Sequence, residues 1–172
     1  EQARIEKQLA ASDKQFEGYA TSAESILNGA STSEVIEERV FADFESGTYD
    51  GWTVTGEAFG RIPQTLETIG KYQGRINGQG KFFVNSHNIR KGGDVRTGDS
   101  LTGTLTSPAF KIDFESIEFL VGGGAHKGQT CVNLIIDGQP VLSATGRSNN
   151  QMSINTWNVR PFLDKEATIQ VV

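Results

Sequence analysis

The side chains able to do chemistry are few and scattered. Imidazole is present only at His87 and His126, and thiol only at Cys131. Nucleophilic catalysis needs a base held beside a Ser or Cys. No Gly-x-Ser-x-Gly elbow exposes a serine, and Cys131 opens an apolar run, the usual setting of an inert core thiol. Glycoside hydrolysis needs two carboxylates flanking a cleft. Asp43, Glu45, Glu57, Asp94 and Asp99 offer carboxylates, but no spacing pairs any two of them. The expectation is therefore that the chain is not an enzyme. Two histidines and one cysteine make no zinc signature. Calcium takes carboxylates and loop carbonyls. A structural calcium would fall on Asp43 and Glu45, with no cofactor otherwise required. Gly122-Gly123-Gly124 ends an apolar run without the Gly-Lys-Ser/Thr of a phosphate loop. It reads as a point of close backbone approach.

Sugar recognition asks for different groups: fixed Asn, Asp, Glu, Arg or His side chains for hydroxyls, and a flat face for C–H groups. The residues of that type in polar loops or at strand ends are Arg147, Asn85, Asp94, His126, Glu57 and Asn149, with His87 and Asn150 nearby. Arg147 lies in Ala144-Thr-Gly-Arg-Ser-Asn-Asn150, a polar turn from which a guanidinium can fork to vicinal hydroxyls. Arg147, Asn85, Asp94 and His126 are expected to cluster at one end of the domain. Trp52 and Trp157 fall inside apolar runs and read as core.

These residues must be held by short strands. From Arg39 onward, apolar residues alternate or form brief runs separated by Gly, Asn and Asp, and the chain holds 20 glycines in 172 residues. The expected strands are Arg39–Asp43, Trp52–Ala58, Lys81–Ser86, Gly103–Ser107, Phe110–Ile112, Ser116–Val121, Cys131–Ile136, Val141–Thr145, Asn155–Val159 and Ala167–Val172. Asp137-Gly138 reads as a hairpin turn, lengthened by Pro140. Residues 60–80 and 87–100 read as long irregular loops, the places where ligand sites are built. The fold expected is all-β: a two-sheet antiparallel jelly roll or β-sandwich over residues 39–172, lacking its last strand. Residues 1–38 are expected to be a separate N-terminal helix and linker. In that helix Ile5, Leu9, Ser12, Phe16, Tyr19, Ala23 and Ile26 follow a heptad seam. The seam predicts contact with a neighbouring domain or a second copy, or folding back onto the β-domain.

The formal net charge of −5 argues against a nucleic-acid partner, which needs a basic footprint. No run approaches the roughly 18 apolar residues of a membrane span.

Several strings in order carry a resemblance: Asp43-Phe-Glu-Ser-Gly-Thr-Tyr-Asp-Gly-Trp-Thr-Val-Thr-Gly-Glu-Ala-Phe-Gly60, Phe83-Val-Asn-Ser86, Gly103-Thr-Leu-Thr-Ser-Pro-Ala-Phe110, Phe119-Leu-Val-Gly-Gly-Gly124, Thr130-Cys-Val-Asn-Leu134 and Ala144-Thr-Gly-Arg147. Together they resemble a β-sandwich module found beside the catalytic domains of family 32 fructan hydrolases (levanase-like enzymes). The same module type occurs in cytochrome-c-containing surface proteins of planctomycetes, whose helical context the N-terminal heptads resemble. The resemblance implies a non-catalytic carbohydrate-binding module. It would tether a larger periplasmic, secreted or cell-surface protein to a polysaccharide or oligosaccharide. The alternative is a structural or protein-interaction domain that docks through the N-terminal helix.

Overall fold

The computed structural model describes residues 37–67, 69, 71–87 and 95–172. The heptad-patterned stretch and Asp94 lie outside the described residues. Phe41–Val172 forms one compact unit. Its strands are β1 (Thr53–Gly56), β2 (Gln64–Thr65), β3 (Phe82–Phe83), β4 (Gly103–Thr106), β5 (Phe110–Lys111), β6 (Ser116–Gly123), β7 (Val132–Ile136), β8 (Gln139–Ala144), β9 (Asn149–Asn158) and β10 (Glu166–Val171). Among the described residues a short α-helix, α1 (Val95–Asp99), precedes β4. The architecture is all-β and antiparallel. One sheet runs β1-β4-β10-β7-β8, with β5 also on β10, and two further sheets pair β6 with β9 and β2 with β3.

Strands β4 and β5 lie along the same edge of β10, interrupted by Ser107-Pro108. Pro108 has no N–H, so a regular ladder cannot continue there. Ser107 repairs the gap. Its N–H donates to the Ile169 carbonyl (2.9 Å), its Oγ accepts from the Ile169 N–H (2.9 Å), and the hydroxyl donates to the Pro108 carbonyl (2.8 Å). The buried Ser107 is thereby satisfied, as buried polar groups must be.

The main core joins the two larger sheets. Leu134, Ile136 and Ala144 from β7 and β8 and Ala167 from β10 cluster with Trp157 of β9, and with Ile112 and Val159. Phe119 meets Trp157 edge to face at 4.6 Å between ring centroids. A second cluster, Tyr49, Ala58, Phe59 and Leu105, closes the β1–β4 side, with Phe44, Trp52 and Val84 packed against it. The Tyr49 hydroxyl donates to the Phe59 carbonyl (3.2 Å), which satisfies its polar tip.

Three expectations are corrected. Residues 39–43 form no strand. Val40 and Phe41 are exposed there, and the chain turns directly afterwards at Phe44 (φ 60°) and Gly47 (φ 74°). The β7–β8 turn is not lengthened by Pro140. Asp137 (φ 52°) and Gly138 (φ 73°) make a two-residue turn with both φ positive, the hand that suits a twisted hairpin. Pro140 instead sits inside β8 at the sheet edge, where a register irregularity between Leu134 and Ile135 accommodates it. Lastly, the supposedly irregular loops contain β2, β3's partner, and α1.

Candidate functional site

Register fixes which loops share an end of the domain. Gly56 opposes Gly103, Val171 opposes Val132, and Val132 opposes Ala144. Glu57, Thr102, Val172, Cys131 and Thr145 therefore all stand at one end of the larger sheet. Glu57, just after β1, and Thr145, just after β8, are four strand intervals apart, about 19 Å at ~4.8 Å per strand.

At the β7–β8 corner of that end, glycines bring two loops together. Gly123 (φ 100°) ends β6 opposite Asn149, the first residue of β9. A Cβ on Gly146 would overlap the Gly123 carbonyl oxygen, and one on Gly124 would come within 3.0 Å of His126 Nδ1. The Gly122–Gly124 run is thus a close-approach surface on which the β8–β9 loop rests. That contact places His126, Arg147 and Asn149 on adjoining exposed backbone. The loop is internally braced. Ser148 is left-handed (φ 58°), Asn149 Nδ2 donates to the Arg147 carbonyl (3.3 Å), and Asn149 Oδ1 accepts from the Gln151 N–H (2.9 Å). Across from it, the His126 carbonyl accepts from the N–H groups of Gln129 (3.0 Å) and Thr130 (2.9 Å). Among the described residues no ion pair engages the Arg147 guanidinium.

The expected cluster is divided by the structure. The backbone segments that carry His126, Arg147 and Asn149 adjoin through the Gly122–Gly124 contacts. Glu57 lies across the sheet on the β1 side, where its N–H donates to the Thr102 carbonyl (3.0 Å). Asn85 belongs to a half-buried polar group beyond β3. It donates to Gln64 Oε1 (2.5 Å) and accepts from the His87 N–H (2.9 Å). His87 in turn pairs with Asp99 (Nδ1–Oδ1 3.1 Å), its ring lying where a Cβ on Gly98 would be. Trp157 is core, 6% exposed, and Cys131 is buried with its thiol directed to Asn133 Oδ1 (3.4 Å).

Asp43 and Glu45 have backbone partners. Asp43 Oδ1 accepts from the Glu45 N–H (3.0 Å). The Glu45 carboxylate accepts from the N–H groups of Lys81 (2.9 Å) and Phe82 (3.0 Å), and lies where a Cβ on Gly80 (φ 69°) would be. This carboxylate ties the 43–47 turn to the start of β3. Among the described residues no group of three or more His, Cys, Asp or Glu side chains is assembled that could hold a metal ion. Glu45→Ala is expected to lower stability by about 1–2 kcal/mol, the range for charged hydrogen bonds to partly solvated amides. Urea unfolding checks this, with Glu67→Ala, also exposed, as the control.

Far from this corner, Lys111 Nζ meets Asp164 Oδ1 at 2.7 Å. The hydrogen bond that the Lys111 ammonium donates to Asp164, then the Asp164 charge, raises the Lys111 pKa above its ordinary value.

Sequence reasoning missed one polar surface, a shallow cleft of about 320 Å³ lined by Glu115, Ser116, Thr156, Asn158 and Arg160. These residues span 45 positions without a motif. Only the β6–β9 register, with Ser116 opposite Asn158, makes them neighbours.

No protein-family model matches the chain. No solved structure matches it either. Among curated proteins, the chain is similar to the Aspergillus rugulosus protein named "Putative glycosyl hydrolase ecdE", at 28% identity over 158 residues. The similarity takes in 90% of this chain and 21% of that protein, so the chain spans about a fifth of the relative's length. This finding overturns the expectation that the chain is not an enzyme, because the relative bears a hydrolase's name. It supports the coarser part of the resemblance, a carbohydrate-related β-domain.

Proposed function

We propose that the β-domain binds saccharide as part of a glycoside-hydrolase polypeptide, with the His126–Arg147–Asn149 corner as a contact surface. The observation that carries this reading is the 158-residue similarity to a protein named a glycosyl hydrolase. The corner supplies the chemistry. An exposed guanidinium forks to vicinal hydroxyls, an imidazole donates or accepts, and an amide braces the loop. The glycine contacts beneath hold these groups in place before ligand arrives, which lowers the ordering cost of binding. The reading carries with it an exported parent protein, since polysaccharide is met outside the cell.

A glycan array probed with the full chain tests the proposal. Binding to neutral polysaccharides is expected, and silence across neutral and sulfated polymers alike contradicts it. Arg147→Ala should weaken that binding about tenfold or more, the equivalent of one lost charged hydrogen bond. Its unfolding midpoint should stay near that of the parent, because the side chain is exposed. A large loss of stability instead would make Arg147 structural.

A further inference from the structure

The outward face of the β6–β9 sheet has a composition of its own. Along it the opposed pairs are Ser116 with Asn158, Glu118 with Thr156, and Leu120 with Ile154. Glu115 and Arg160 flank the first pair and form an ion pair with each other. Thr156 Oγ1 donates to Glu118 Oε2 (3.3 Å). The cleft of about 320 Å³ opens at the Glu115–Arg160 end.

Its walls are fixed by backbone. The Val159 N–H donates to the Glu115 carbonyl (2.9 Å), and Val159 is fully buried. Asn158 Oδ1 accepts from the Arg160 N–H (3.1 Å), and Pro161 stiffens the 3₁₀ turn that follows, Arg160–Phe162. Glu115 and Arg160 therefore project from the ends of two paired strands, and not from a mobile loop.

The chemistry of the lining selects among ligands. In the cleft one carboxylate and one guanidinium pair with each other, and along the strands Glu118 adds a further carboxylate, so the face disfavours an anionic ligand. The remaining groups are hydroxyls and an amide, both donors and acceptors. Beyond them Ile154, 55% exposed, offers an apolar surface beside Leu120. A neutral polyhydroxylated chain matches that sequence of groups: hydroxyl pairs to Arg160, Glu115 and Asn158, and a C–H face on Ile154. We infer that this face is a second saccharide-binding surface, one that takes a neutral polysaccharide chain lying along the strands. It lies roughly 24 Å from the Gly123 corner, seven residues along β6 at ~3.4 Å each. A ligand spanning both would be held at two points.

The inference rests on the saccharide reading of the domain and is tested apart from it. The experiment is affinity electrophoresis of the full chain, Arg160→Ala and Thr156→Ala in gels containing levan, inulin or laminarin. Thermal midpoints are measured in parallel. The inference predicts that both variants keep the parent's midpoint and lose retardation in the polymer that slows the parent, Arg160→Ala by about tenfold in apparent affinity. Thr156→Ala removes an outward hydroxyl and methyl together with the bond to Glu118, and leaves the Arg160 turn untouched, so it reports on the face even if Arg160→Ala disturbs that turn. If the parent is retarded and both variants migrate with it, the inference is overturned and the corner alone binds. If no polymer retards the parent, the saccharide reading itself fails.

Discussion

Gly146→Ala is expected to cost about 3 kcal/mol or more and to displace the Arg147 loop. The new Cβ would fall on the Gly123 carbonyl oxygen and the Gly122 carbonyl carbon. Both are backbone atoms in a paired strand, so no side chain can rotate away. Overpacking a well-filled site costs ~1–3 kcal/mol, and a collision with backbone belongs at the top of that range. Urea unfolding at constant m measures it as a shift in midpoint. The same variant should bind saccharide more weakly, because the corner depends on this contact. A change under about 1 kcal/mol would mean that the two loops separate easily and that the corner is not preorganised.

Trp157→Ala should be the most damaging single truncation in the core, at ~3–5 kcal/mol. Trp157 is 6% exposed, packs edge to face on Phe119, and belongs to the cluster that joins β7, β8 and β10 to β9. Its removal would open a cavity between the sheets that neighbouring strands cannot close without leaving register. Thr156→Ala, one residue away but facing outward, should change stability by less than about 0.5 kcal/mol. Near-equal effects would contradict the layered packing described for β9.

The contrast between Trp157 and Thr156 also marks what a sequence can carry. Period-two alternation located β6, β7, β8 and β10 to within a few residues, because each has one face on the core. It placed Trp157 and Cys131 inside, whereas Trp52, expected there too, is half-buried beside the Tyr49 cluster. It cut β9 short at Asn155. The first half of that strand, Asn149-Asn-Gln-Met152, is polar and is held by backbone: Asn149 lies against Gly123, and the Met152 N–H donates to the Ile76 carbonyl (2.7 Å). Gln64–Thr65 was invisible for the same reason, being a strand only through its pairing with Phe82–Phe83. The jelly-roll winding asked more of local pattern than pattern holds, and antiparallel β-layers are what the structure supports.

The strings that carried the resemblance turn out to be structural fasteners. Asp43-Phe-Glu-Ser-Gly47 ties its turn to β3 through Glu45. Ser107-Pro108 splices β4 and β5 onto β10. Gly146 seats one loop on another. Such strings mark how a fold is held, and the groups that would touch a ligand sit next to them. Arg147 was picked out as a candidate because it follows Gly146 in a polar turn. Glu115, Asn158 and Arg160 were not, because their neighbourhood is created by strand register alone.

The central claim, that this domain binds saccharide, is tested most directly by affinity electrophoresis of the purified 172-residue chain. The gels would contain levan, inulin, laminarin and a sulfated algal polymer in turn. Retardation in at least one neutral polymer, lost on adding its free oligosaccharide, is the predicted result. Uniform migration in every gel would contradict the claim.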